Sequence, residues 1–150
     1  MNEAIKWTDI VAAVVVIYSA VLSTIVFIQQ IRGDKPRGLV KISPGSLMGY
    51  NVEFNLKVII EFTNIGKCRI KIINMGIILP NGYTCILINP PYVQLPAFVE
   101  PGDSIMNWME PSDIRRELNK IGYKGEAKII AFAKDATGKI YKGNSVIFNL

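Results

Sequence analysis

The feature that most constrains this chain is a stretch near its N-terminus that carries no charge. From Ile10 to Ile31 run 22 residues without Asp, Glu, Lys or Arg, bounded by Asp9 and Arg32. At about 1.5 Å per residue such a helix reaches about 33 Å, enough to cross a hydrocarbon core of about 30 Å. Val11, Val14, Val15, Val16, Ile17, Val21, Leu22, Ile25, Val26, Phe27 and Ile28 cover every face of that helix rather than one stripe. A membrane span is therefore expected, with a buried core helix as the alternative. Half of the 150 residues are hydrophobic, and the mean hydropathy of +0.29 owes much to this one run.

A cleavable secretory signal fits less well. Glu3 and Asp9 accompany Lys6 ahead of the run, the apolar stretch is longer than a signal core, and no small-x-small site ends it. Position 2 is Asn and the chain ends Phe148-Asn149-Leu150 with no nearby Cys, so no lipidation pattern is present. The expectation is an uncleaved, single-pass anchor at 10–31, with a tail at 1–9, a linker at 32–38 and one domain at 39–150.

Charges beside the run set an expected orientation. Arg32, Lys35, Arg37 and Lys41 oppose only Asp34 on the C-terminal side. Positive residues beside a span stay in the cytoplasm, so the domain is expected inside and the N-terminus outside, with an exterior domain as the alternative. The same four residues can contact anionic headgroups or merely set topology. Trp7 suits the outer interface. Ser19 and Ser23, and Ala20 and Thr24, place small residues four apart, a spacing that allows homo-oligomers through helix packing.

The rest of the chain is punctuated for strands. Leu39 to Ile42 is expected as a first strand, broken by Pro44-Gly45. From Val52 to Thr63, Phe54, Leu56, Val58, Ile60 and Phe62 alternate with polar residues, Ile59 being the exception. That period of two marks a half-buried antiparallel strand. Further strands are expected at Cys68–Ile73, Gly76–Leu79, Tyr83–Ile88, Ser104–Met109, Glu126–Lys134 and Ile140–Phe148. Turns fall at Asn64-Ile65-Gly66, Pro80-Asn81-Gly82, Pro101-Gly102 and Asp135 to Lys139, and a long loop follows Asn89. Pro111 to Ile121 is the one expected helix beyond the anchor, with Ile114, Leu118 and Ile121 on one side and Gly122 as its stop. Seven or eight short strands with regular turns imply a mainly β fold, an antiparallel β-sandwich.

Specific residues carry a resemblance. The run Ile60-Glu61-Phe62-Thr63-Asn64-Ile65-Gly66, then Ile70 and Ile72, Leu79-Pro80-Asn81-Gly82, Pro101-Gly102-Asp103 and the Asp135-x-x-Gly138-Lys139 hairpin resemble Ig-like sandwich modules. Such modules hang from a single helix in small prokaryotic membrane proteins. The likeness covers Leu39 to Leu150, implies an Ig-like fold and carries over no active site.

Chemistry is sparsely supplied. The chain has no His, which removes the commonest general base and zinc ligand. Cys68 and Cys85 are too few for a metal site and read as buried thiols, a disulfide remaining open. The run from Ala133 to Lys139 fails as a phosphate loop, since Ala133 and Ile140 stand where Gly and Ser/Thr are needed. Asp103, Glu110, Asp113 and Glu117 form a loose acidic group, read as surface or, alternatively, as an acid pair. Arg115, Arg116, Lys120 and Lys124 give the late helix a basic side, either solvated or extending lipid contact. From Gly38 onward 13 basic residues face 9 acidic ones, too mild an excess to expect nucleic acid.

Two apolar features suit a protein partner: the loop with Pro90, Pro91, Tyr92, Leu95, Pro96 and Phe98, and the trio Met106, Trp108 and Met109. The expected function is a membrane-anchored, non-enzymatic interaction module without cofactor, its partners the lipid bilayer and a protein. The alternative is an exported envelope or filament component, since archaeal pilins and archaellum-associated proteins share this plan. Lys6, Asp9 and the polar stretch after the helix depart from a pilin.

Overall fold

The computed structural model describes residues 7–33, 35–46, 56–88 and 90–149. Two compact units divide at Lys35 and Pro36. The first holds helix α1 (Trp7–Gly33), whose Trp7–Ile31 segment is long and apolar enough to span a membrane. Its apolar side chains are exposed along its whole length. The Ser19 hydroxyl donates to the Val15 carbonyl and the Thr24 hydroxyl to the Ala20 carbonyl, both at 2.8 Å. Both hydroxyls are thus satisfied by their own helix.

The second unit is a two-sheet antiparallel sandwich. One sheet has the order β1 (Gly38–Ser46), β2 (Leu56–Asn64), β6 (Ser104–Met109). The other has the order β4 (Thr84–Ile86), β3 (Ile70–Ile78), β7 (Glu126–Asp135), β8 (Ile140–Asn149), with β5 (Ala97–Val99) also paired to β3. Alternation places Val58, Ile60 and Phe62 of β2 inside, facing Ile70, Ile72, Met75 and Ile77 of β3 and Ala127, Ile129, Ala131 and Ala133 of β7. Helix α2 (Pro111–Lys120) closes one end by burying Ile114 and Leu118 completely. Gly122, at φ +74°, takes the left-handed turn that ends it.

Several expectations are corrected. Pro44-Gly45 does not break the first strand: β1 continues to Ser46, because an edge strand tolerates a residue without an N–H. The strands expected at Cys68–Ile73 and Gly76–Leu79 are one strand, β3. A bulge between Ile72 and Asn74 shifts its register by one residue against β7, so inward positions change from 70 and 72 to 75 and 77. Cys68 precedes this strand and is half-buried, as is Cys85, and the two form no disulfide. The loop after Asn89 contains a strand, β5. Of the strand expected from Val52, residues 52–55 lie outside the described set, as do Glu3, Lys6, Asp34 and Asn89.

A sandwich has edges, and unpaired edges invite association. On one flank β1 and β8 run beside each other without a ladder between them. A bulge in β8 sets Gly143 and Asn144 against Ala131. The Asn144 amide then bonds the backbone of Ile42 twice: its Oδ1 accepts from the N–H at 2.8 Å and its Nδ2 donates to the carbonyl at 3.1 Å. One side chain replaces one step of a ladder and stitches the sheets together. On the other flank β6 is covered. Asn107, fully buried, accepts from the N–H groups of Tyr92 and Val93 and donates to the Val93 carbonyl. That leaves β4.

Candidate functional site

The uncovered edge of β4 follows from its hydrogen-bond phase. The Leu79 N–H donates to the Tyr83 carbonyl at 2.8 Å, and the Leu87 N–H to the Met75 carbonyl at 2.9 Å. In an antiparallel pair, hydrogen-bonded positions recur every second residue. Cys85 therefore bonds toward β3, while the N–H and C=O groups of Thr84 and Ile86 point away from the sheet. Among the described residues no other element pairs with them. Thr84, Ile86 and Ile88 are exposed, Ile88 to 85%.

A groove of about 570 Å³ runs beside this edge. One wall is Thr84 to Ile88, and the other is formed by Pro91, Trp108, Met109 and the start of α2. The Trp108 and Tyr92 rings meet at 5.8 Å between centroids. Glu110, Asp113 and Glu117 line the groove with Arg116 as the one base. Lys57 forms an ion pair with Glu110, Arg116 with Asp113 at 2.9 Å, and Lys120 with Glu117 at 2.7 Å. The hydrogen bond from Lys120 holds the Glu117 carboxyl below its ordinary value against a smaller opposing effect of desolvation. Burial pushes the Cys85 thiol up, and the Glu117 charge pushes it further, with Lys120 pulling back. A thiol kept protonated is a poor nucleophile, and these carboxylates are committed to ion pairs. The arrangement offers a strand edge beside a groove whose three carboxylates are each balanced by a paired base.

The residues singled out in the sequence are partly gathered and partly dispersed. Pro91, Tyr92 and Trp108 come together here. Pro90 is buried. Phe98 lies elsewhere, on β5 opposite Lys71, with the Arg69 guanidinium 4.0 Å from its ring centroid. The acidic group also divides: Asp103 precedes β6 and Glu110 follows it, so six residues of strand, about 20 Å, separate them. Arg32 falls in the last turn of α1, Lys35 and Arg37 follow and are exposed, and Lys41 points outward from β1 opposite Glu61. Helix α2 follows the far end of β6, about 20 Å along the strands from Gly38, so its basic side does not extend the cluster at 32–41. Ser19, Ala20, Ser23 and Thr24 all lie on α1. The β4 edge was not singled out from sequence, because its significance depends on which strands neighbour it.

No family model and no curated protein matches the chain. Among solved structures, the X-ray structure of a Northeast Structural Genomics Consortium target is similar at 11% identity and a TM-score of 0.34, covering 79% of this chain and 89% of that one. A likeness that remote carries no argument about fold or function.

Proposed function

We propose that the chain is a membrane-anchored, non-enzymatic interaction module, held by α1 and binding an extended segment of a protein partner at the open flank. The observation that carries this reading is the unpaired edge of Thr84 and Ile86 beside an apolar groove. An extended peptide adds to such an edge through main-chain hydrogen bonds and places alternate side chains in the neighbouring groove. The groove rim bears three carboxylates, each paired with a base: Glu110 with Lys57, Asp113 with Arg116 and Glu117 with Lys120. The complementary occupant is an extended segment of alternating apolar residues. The orders β1-β2-β6 and β4-β3-β7-β8 support an Ig-like sandwich. The four bases at 32–41 support a cytoplasmic domain and headgroup contact beside the span.

The test uses the full chain in nanodiscs, screened against a displayed peptide library. Enrichment of extended sequences with alternating apolar residues is expected. The Ile86→Pro variant removes an N–H that points away from β3, so it should spare the ladder while weakening selected peptides at least about tenfold, roughly 1.4 kcal/mol. Trp108→Ala should weaken them comparably. Absence of any enriched sequence, or binding indifferent to Ile86→Pro, would overturn the reading.

A further inference from the structure

We propose that the end of the sandwich where the chain enters it docks on an anionic bilayer surface through Ile65, Lys67, Arg69, Lys71, Phe98 and Lys139. The inference rests on α1 spanning the membrane and is independent of the β4 flank. Two residues separate Gly33, the last of α1, from Pro36, the first of the sandwich. Fully extended, that step covers about 10 Å, so the protein around Pro36 cannot lie far from the headgroups.

Hydrogen bonds fix what surrounds it. The Pro36 carbonyl accepts from Lys139 Nζ at 2.6 Å. The Arg37 carbonyl accepts from the N–H groups of Ile65 and Gly66 at 3.0 and 3.1 Å. The β2–β3 turn and the β7–β8 hairpin are thereby tied to the chain just after it leaves α1. Strand pairing brings the remainder to the same end: Ile70 pairs with Val99 and Lys71 with Phe98.

This end presents apolar surface together with positive charge. Ile65 is 58% and Phe98 53% exposed. The Arg69 guanidinium lies over the Phe98 ring, and Lys71 Nζ is 5.3 Å from its centroid. The acids here are Glu100, paired with Arg69 at 2.7 Å, Asp103 at the β5–β6 turn, and Asp135, buried and hydrogen-bonded. With Arg37, five bases face three acids, one of them buried. An exposed aromatic flanked by cations suits the headgroup boundary, where the ring meets acyl chains and the cations meet phosphates.

Hydrogen exchange on the full chain in nanodiscs tests this. Segments 64–71 and 136–139 should exchange several-fold more slowly in discs containing phosphatidylglycerol than in pure phosphatidylcholine. High salt should shrink the difference, and the turn at 80–83, at the opposite end, should not respond. A Lys67→Glu, Lys71→Glu double variant should abolish the difference while exchange in 129–133 stays unchanged, which certifies its fold. Equal exchange in the two lipids, or protection that survives the double variant, would overturn the proposal. If α1 does not anchor the chain, the protein will fail to enter the discs at all, a distinct result.

Discussion

Asp135 ends β7 and organises the hairpin that follows. Its Oδ1 accepts from the Thr137 hydroxyl and from the N–H groups of Thr137 and Lys139, and its Oδ2 accepts from the Tyr141 hydroxyl at 2.9 Å. Burial alone would raise this carboxyl, but the four donors outweigh it and hold it below the ordinary value. Tyr141 is shifted the other way: burial, its bond to Asp135 and the Asp135 charge raise its phenol well above the usual value. The signs give two limits. A depressed carboxyl contributes stability above its unfolded value, near pH 4, which is lost as pH falls through the folded value. A raised phenol contributes stability below its unfolded value, near pH 10, which is lost as pH rises toward the folded one. Urea unfolding of the detergent-solubilised chain should show a plateau between these limits. Asp135→Ala should lower the plateau by about 2–3 kcal/mol and remove the part of the acid limb due to this group.

At the level of elements, the sandwich treats its edges in three different ways, and each has a consequence. The β1/β8 flank depends on Asn144 and on the absence of a side chain next to it. A Cβ on Gly143 would sit 2.6 Å from the Val40 carbonyl oxygen, nearer than packed atoms approach. Gly143→Ala should therefore cost about 1–3 kcal/mol, and Asn144→Ala about 1–2 kcal/mol by orphaning the Ile42 backbone, both read by urea unfolding. Much of the strand content was legible, because alternation in β2 and β7 and the turn residues between strands are local signals. The β6 strand and the buried face of α2 follow from the same periodicities. The bulge in β3 was not legible, since Ile72 and Ile73 are equally apolar and only pairing with Asp135 and Lys134 decides which faces inward. Nor was the role of Asn144 or Asn107. An Asn among strand residues reads as a polar outward position until its neighbour is known, 102 residues away for Asn144 and 14 to 15 for Asn107.

Across the whole molecule, the long apolar helix is the most legible feature, since its length and lack of charge are both local; α1 extends a few residues beyond 10–31 at each end. The groove beside β4 was half legible. Pro91, Tyr92 and Trp108 stood out as apolar residues at loop and strand positions and do meet, whereas Phe98 belongs to the other end because β5 carries it beside Arg69 and Lys71. The open β4 edge is a property of topology and has no signature in the residues Thr84-Cys85-Ile86 themselves. The anchoring of the proposed module and the lipid contact at the opposite end both presuppose that α1 resides in a bilayer. Flotation on a density gradient, after an alkaline carbonate wash of membranes carrying the full chain, tests this most directly. The chain should rise with the lipid, stay there through the wash and be released only by detergent. Recovery in the soluble fraction after the wash would contradict the anchor and every reading built on it.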